Sequence, residues 1–168
     1  ELSRNTYAPG GGSVAALLGL LGSSLSCMVS NLTYDNKKFK EFQSIHYKSS
    51  EKLQKYSNEL LYLINEDTIA YNNIISARRL PKKTKSQILV RNKEINKSII
   101  YAIEVPLKVL ETCLKVHEVT YKVLKYANLN CISDIGVANQ SIYSASNGAS
   151  YNILINLVDL NPNLEKKY

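Results

Sequence analysis

Residues 5–34 contain no charged side chain, and this segment restricts the fold more than any other feature of the sequence. Its central part, residues 14–29, is long and apolar enough to be compared with a membrane-spanning helix. Serine residues within and just after it dilute its hydrophobicity, and the sequence has no second segment of this kind to pair with it in a bilayer. We therefore predict a helix at the centre of a soluble bundle, buried on all sides, and no association with a membrane.

Small residues recur along this helix at intervals of four. One row contains Ala15, Gly19 and Ser23, and a second contains Gly22 and Ser26. Rows of small residues allow the backbones of two helices to approach closely, as they do in membranes. We expect other helices to pack directly against both rows.

The rest of the chain also predicts helices. Glycine and proline are rare, with 7 and 4 occurrences, and apolar residues repeat at helical spacing. We predict four helices, over residues 12–34, 38–77, 84–126 and from 133 or 134 to 158. Pro106 predicts a kink in the third helix. A length of 168 residues favours a single domain, residues 1–168, so the predicted fold is an all-α bundle of long packed helices.

The formal net charge of +7 favours an anionic partner, such as nucleic acid, an acidic membrane surface or a polyanionic small molecule. The densest basic cluster, within residues 78–85, surrounds Pro81 and is expected to be a solvated loop. No recognised nucleic-acid-binding motif is present, so we predict no nucleic-acid partner. The three cysteines are widely spaced, which argues against a disulfide framework or a zinc site and favours a reducing cytoplasm.

The run Pro9-Gly10-Gly11-Gly12-Ser13 directly precedes the apolar helix. Glycines can adopt positive φ and leave backbone N–H groups accessible, and a helix N-terminus adds free N–H groups and a positive dipole end. Such an arrangement can bind a carboxylate or a phosphate. A tight turn with Ser13 as the N-cap explains the run equally well. A Walker A loop is excluded because no Gly-Lys-Ser/Thr follows.

Asp67 lies on an otherwise apolar stripe of the second helix, three residues after Ile64 and four before Tyr71. A carboxylate on a core-facing stripe is unfavourable unless it is paired or has a function. Half-burial tends to raise the pKa of a carboxyl group, which suits it to general acid–base catalysis. A structural role is the alternative for Asp67. Its neighbour Glu66 is expected to be solvated.

Three further polar residues stand out. Asp134 is at the predicted start of the last helix, where capping explains it as well as function does. Asn139 is polar on the predicted inward stripe of that helix, between Ile135 and Ile142. His117 is on the predicted inward stripe of the third helix and is interpreted as a core histidine. The other residues of this stripe include Ile99, Ile103, Leu114, Tyr121 and Leu124.

Several short segments stand in a characteristic order along the chain. They are residues 9–17, Met28-Val29, Asn31-Leu32-Thr33, residues 63–72, Arg79-Leu80-Pro81-Lys82, Val105-Pro106-Leu107 and residues 133–138. In these segments the sequence resembles the cyclodeaminase/cyclohydrolase family, which comprises formiminotetrahydrofolate cyclodeaminases and related methenyltetrahydrofolate cyclohydrolases. The resemblance covers roughly residues 6–158. It has two differences: Asn65 stands where the family commonly has Asp, and the chain begins almost at the glycine run.

The resemblance implies an all-α fold, a homodimer and a folate cleft near the glycine run. It implies either cyclodeamination of 5-formiminotetrahydrofolate to 5,10-methenyltetrahydrofolate with release of ammonia, or hydrolysis of the methenyl compound to 10-formyltetrahydrofolate. Both reactions move protons near N10 and the bridging carbon of the folate. Neither reaction needs a metal or a redox cofactor, and the tetrahydrofolate derivative is the substrate.

Asp67 is the first candidate for the acid–base group, and Asp134 is the candidate for anchoring the pterin ring through its two oxygens. These two roles can be exchanged. The remaining candidates are expected to bind the substrate. The lysines are expected to contact the glutamate carboxylates of the folate, which can be polyglutamylated. These residues are Gly10, Gly11, Gly12, Ser13, Lys37, Lys38 and Asn139.

A non-enzymatic helical module that binds an acidic partner through its basic loops is the alternative from another class. Such a module has no need of polar groups such as Asp67 and Asn139 on inward faces. If the chain is an enzyme of the kind described above, we expect residues 10–13, Asp67 and Asp134 to meet in one cleft.

Overall fold

The computed structural model describes residues 2–160 as a bundle of four long helices without a β-strand in that range. This confirms the predicted all-α fold. The helices are α1 (Gly11–Tyr34), α2 (Gln43–Arg78), α3 (Lys85–Tyr126) and α4 (Ile132–Val158). The 3-10 helices Lys37–Phe42 and Leu129–Cys131 connect α1 to α2 and α3 to α4.

α1 packs along α2 and α4, and α3 closes the opposite side of the bundle. Both α2 and α4 run antiparallel to α1. Ser13 at the start of α1 contacts Asp67 late in α2, and an added methyl group on Gly148 of α4 would lie 3.1 Å from Ala15. We call the end of the bundle that contains Gly10, Asp67 and Asn152 the glycine end. The other end, which contains His46 and Asp134, is the histidine end.

The small residues of α1 allow the close packing that the sequence predicts. A methyl group added to Gly19 would lie 2.8 Å from Cys113 Sγ of α3. One added to Gly22 would lie 2.8 Å from the carbonyl oxygen of Ala138 in α4. Between these contacts, the buried Ser23 hydroxyl donates a hydrogen bond of 2.8 Å to the carbonyl oxygen of Leu53 in α2. Both rows therefore lie against neighbouring helices.

The substitution Gly22→Ala is expected to lower the free energy of unfolding by about 1–3 kcal/mol, which is the usual effect of overpacking a core. The new methyl group would meet the backbone of Ala138, which cannot rotate away. Gly136→Ala is the matched control, since no atom lies within 4 Å of an added methyl group there. Helix propensity should make that control more stable by up to about 1 kcal/mol. Denaturant melts of both variants test this expectation, and equal stabilities would contradict it.

The prediction that α1 is buried on all sides is wrong for one face. Leu21 is 52% exposed and Leu32 is 49% exposed, and Leu17 and Met28 lie on the same outer face. Within one chain, α2, α3 and α4 cover only three sides of this helix. Among residues 2–160, α1 alone is long and apolar enough to cross a membrane, but 56% of its most apolar stretch is buried in the bundle. The central helix of a soluble bundle can be equally long and equally apolar.

The predicted inward stripe of α3 is correct up to Pro106 and wrong from Leu114 onward. Ile99 and Ile103 are buried as expected, whereas Leu114, His117, Tyr121 and Leu124 are exposed. The buried positions there belong to the adjacent row, which has shorter side chains. The close approach of α1 at Gly19 leaves room only for side chains of this size. The buried residues of that row are Val109, Cys113, Val116, Thr120 and Val123.

Candidate active site

Asp67 is held at the N-terminus of α1 by Ser13. The backbone N–H and the side-chain hydroxyl of Ser13 both donate to Oδ2 of Asp67, each at 2.8 Å. Ser13 is the third residue of α1, and Gly10 is its N-cap residue without a side-chain hydrogen bond. The alternative that Ser13 is the N-cap is therefore wrong. The Asp67 carboxylate instead satisfies one of the free N–H groups at the start of the helix and faces the positive end of its dipole.

The glycine run permits this contact because Gly12 has no side chain. A methyl group added to Gly12 would lie 2.6 Å from Cγ of Asp67 and would overlap Oδ1. None of the glycines in residues 2–160 has a positive φ. The requirement at Gly12 is thus the close approach of a carboxylate to the backbone, and not the left-handed conformation that a glycine run also permits.

A cavity of about 120 Å³ lies beside Asp67 at the glycine end. α1 supplies its first residues, α2 supplies Asp67 and Ile74, α3 supplies Ala102, and α4 supplies two asparagines. Tyr7 and Tyr71 also line it, with their ring centroids 6.3 Å apart. The cavity is therefore the point at which all four helices and the segment before α1 meet. The full lining is Tyr7, Ala8, Gly10, Gly11, Gly12, Asp67, Ala70, Tyr71, Ile74, Ala102, Asn152 and Asn156.

The two asparagines, Asn152 and Asn156, were missed in the sequence analysis. They lie four residues apart on α4, so they share a face of the helix. The Asn152 side-chain NH₂ donates to the carbonyl oxygen of Gly148 at 2.8 Å. The Asn156 side-chain NH₂ donates to the carbonyl oxygen of Ala102 in α3 at 2.8 Å. The available signal was their spacing beside the apolar residues Ile153 and Leu157.

Asp134 lies at the histidine end, far from Asp67 within one chain. It is half-buried in the first turn of α4. At about 1.5 Å per residue, the helix separates it from Asn152 by roughly 27 Å. It is not the N-cap residue, because α4 begins at Ile132 after Cys131. The structure thus brings the glycine run and Asp67 together and, in one chain, leaves Asp134 apart from them.

Asn139, Lys37 and Lys38 are also remote from the cavity. Asn139 is exposed, so its predicted inward position is wrong; the inward positions around it belong to Ala138 and Ile142. Lys37 and Lys38 begin the 3-10 helix that follows α1 and are exposed at the histidine end.

Glu66 is buried, which corrects the expectation that it is solvated. Only 8% of it is exposed, because it lies on the face of α2 that packs against α3. The Tyr101 hydroxyl donates a hydrogen bond to its carboxylate. This hydrogen bond, with burial and the negative charge of Glu66, raises the pKa of Tyr101 to about 12. A hydrogen bond to Glu66 also raises the pKa of Tyr62.

Residues 2–160 contain no group of three or more His, Cys, Asp or Glu side chains close enough to hold a metal ion. The expectation that no metal takes part stays a prediction.

Comparisons with known proteins identify the family. The sequence profile described as formiminotransferase-cyclodeaminase matches residues 1–167. The formimidoyltransferase-cyclodeaminase of Rattus norvegicus is 32% identical over 167 residues, which are 99% of this chain and 31% of the rat protein. The chain thus spans about a third of that relative's length.

Two further proteins match most of their own length. The methenyltetrahydrofolate cyclohydrolase of Methylorubrum extorquens is 34% identical over 155 residues, which are 92% of this chain and 74% of that protein. The crystal structure of a formiminotetrahydrofolate cyclodeaminase from Thermotoga maritima has the same fold, with a TM-score of 0.86 at 21% identity. The match covers 99% of this chain and 79% of that one. The chain belongs to the formiminotransferase-cyclodeaminase family.

Proposed function

We propose that this protein is a one-carbon enzyme that acts on a tetrahydrofolate derivative, and that its reaction is the cyclodeamination of 5-formiminotetrahydrofolate. The observation that carries the proposal is the hydrogen bonding of the Asp67 carboxylate. Its Oδ2 accepts two hydrogen bonds from Ser13, while Oδ1 accepts none from residues 2–160. A fixed carboxylate with one free oxygen beside a cavity is suited to proton transfer. The names of the animal relatives support the substrate class.

In this reaction, N10 of the protonated formimino substrate attacks the formimino carbon, and a bond forms between N10 and that carbon. Asp67 accepts the proton that N10 loses and passes it to the formimino nitrogen. The bond between the carbon and that nitrogen then breaks, ammonia leaves, and the positive charge stays on the 5,10-methenyl bridge. The step consumes no oxidant or reductant, so we propose no cofactor for it.

Hydrolysis of 5,10-methenyltetrahydrofolate is the second candidate. The observation in its favour is the Methylorubrum extorquens cyclohydrolase, because the match covers 74% of that protein. Asp67 would then deprotonate the attacking water instead of N10.

A single assay separates the candidates. The purified chain is offered each substrate in turn, and the absorbance of the methenyl compound is followed. A rise with the formimino substrate supports cyclodeamination, and a fall with the methenyl substrate supports hydrolysis. No enzyme-dependent change with either substrate would contradict the proposed function.

We also propose that two chains form a homodimer through the exposed face of α1. Leu17, Leu21, Met28 and Leu32 form an apolar stripe on a helix that has no charged residue. Burying such a stripe against its own copy is the simplest way to remove it from water. Light scattering on the purified chain measures the oligomeric state, and a monomer would contradict this part of the proposal.

We propose that the basic segment of residues 78–85 binds the glutamate tail of the folate, which can be a polyglutamate. That segment connects the end of α2 to the start of α3, at the glycine end. Lys37 and Lys38 are less suitable within one chain because they lie at the other end.

A further inference from the structure

Three side-chain oxygens at the cavity accept no hydrogen bond from the residues that the structure describes. They are Oδ1 of Asp67, Oδ1 of Asn152 and Oδ1 of Asn156. The NH₂ group of each asparagine is committed to a backbone carbonyl, which fixes the orientation of the amide and leaves its oxygen free. No fully buried side-chain nitrogen or oxygen in residues 2–160 lacks a partner. These three oxygens are therefore accessible to a ligand.

Pro106 explains why Asn156 is held in place. In an α-helix, the carbonyl oxygen of Ala102 would accept the N–H of residue 106, but proline has no N–H. The freed carbonyl oxygen of Ala102 instead accepts the side-chain NH₂ of Asn156, across from α4 to α3. The proline within α3 thus positions an amide that lines the cavity beside Asp67.

The cavity fits a small group that is rich in N–H donors. At about 120 Å³ it is far smaller than the 300–1,000 Å³ typical of pockets for drug-sized ligands, so its size matches a small group and not a whole folate. A carboxylate and two amide oxygens match a small cation that donates several hydrogen bonds. The first amides of α1 add positive potential. This positive potential opposes the binding of a cation. A flat amidinium can compensate by donating hydrogen bonds to more than one of the three oxygens, whereas a cation without N–H groups cannot.

We propose that Asn152, Asn156 and Oδ1 of Asp67 form the subsite for the formimino nitrogen, a proposal that rests on the proposed function. The protonated formimino group carries N–H donors for these oxygens. The methenyl bridge carries only a C–H, so its binding would leave the three acceptors without partners. A site built to hydrogen-bond an N–H group discriminates strongly against an analogue that lacks it. These asparagines therefore favour the formimino substrate over the methenyl substrate.

Two variants test the subsite through substrate preference. Asn156→Leu and Asn152→Leu each remove one amide acceptor from the cavity. Each should lower the ratio of kcat/KM for the formimino substrate to kcat/KM for the methenyl substrate by at least about 10-fold. Asn147→Leu is the matched control for Asn152→Leu, because the Asn147 NH₂ group likewise donates to the carbonyl oxygen four residues before it on α4, that of Tyr143, outside the cavity. An unchanged ratio in both test variants would overturn the proposal.

Binding of formamidinium tests the subsite without turnover. Ligand-observed NMR on the wild-type chain should detect formamidinium binding that Asn156→Leu weakens by about 10-fold or more and Asn147→Leu leaves unchanged. Tetramethylammonium at equal ionic strength has no N–H and should not bind. Equal binding of both cations, or no loss in Asn156→Leu, would refute the subsite. If the chain turns over neither folate, the proposed function fails, while this measurement still decides whether the cavity binds an amidinium.

Discussion

The substitution Asp67→Asn is expected to lower turnover by about 100-fold or more, because general acid–base catalysis typically contributes about 10²–10⁴. Asn is nearly isosteric with Asp, so its oxygen can still accept the hydrogen bonds that Ser13 donates at 2.8 Å. The substitution removes the charge that accepts a proton and that faces the start of α1. The lost charge should lower the free energy of unfolding by only about 0.3–1 kcal/mol.

Steady-state kinetics and thermal melting of this variant separate three roles for Asp67. A large fall in kcat with a nearly unchanged melting temperature supports proton transfer. A loss confined to KM would mean that Asp67 anchors the substrate. A large drop in melting temperature, with normal turnover by the folded fraction, would make Asp67 a structural partner of α1. Ser13→Ala is a useful second variant, because it removes one of the two hydrogen bonds to Oδ2 while leaving the carboxylate in place.

The fold could be predicted from the sequence because its determinants are local. The uncharged run, the scarcity of glycine and proline, and the helical spacing of apolar residues each favour helices independently of packing. Three of the four long helices begin and end within about two residues of the prediction. α2 is the exception, since residues 37–42 form a separate 3-10 helix in which Phe39 leaves the helical conformation.

The choice of buried face was less predictable, because two adjacent rows of α3 are both apolar after Pro106. The sequence favoured the row with the larger residues Leu114, Tyr121 and Leu124, which are exposed in the structure. What decides between the rows is the distance to α1, and that distance depends on glycines in another helix. Asn139 was misplaced for a related reason, because it neighbours the buried residue Ala138 and α4 has apolar residues on several faces.

The candidate site shows the same division between local and distant determinants. Asp67 could be singled out because a lone carboxylate on an apolar stripe is visible in the sequence of one helix. Asn156 could not, because its orientation depends on the carbonyl oxygen of Ala102, which lies on a different helix and lacks a helical partner at Pro106. The prediction of a kink at Pro106 concerns only the effect of proline on its own helix. The hydrogen bond from α4 to the freed carbonyl oxygen could be predicted only by knowing that α3 and α4 are neighbours.

The substitution Gly12→Ala is expected to reduce turnover by about 100-fold, which is the effect that a displacement of about 1 Å can have on a catalytic group. The new methyl group would lie 2.6 Å from Cγ of Asp67, so either the carboxylate or the start of α1 must move. Loss of the hydrogen bonds from Ser13 should also lower the free energy of unfolding by about 0.5–2 kcal/mol, as the loss of a helix cap does. Gly136→Ala, whose added methyl group meets no atom within 4 Å, controls for the general effect of replacing a helical glycine.

If Gly12→Ala acts through Asp67, the double variant Gly12→Ala/Asp67→Asn should turn over no more slowly than the slower single variant. Multiplied losses in the double variant would show that Gly12 contributes to the site independently of Asp67.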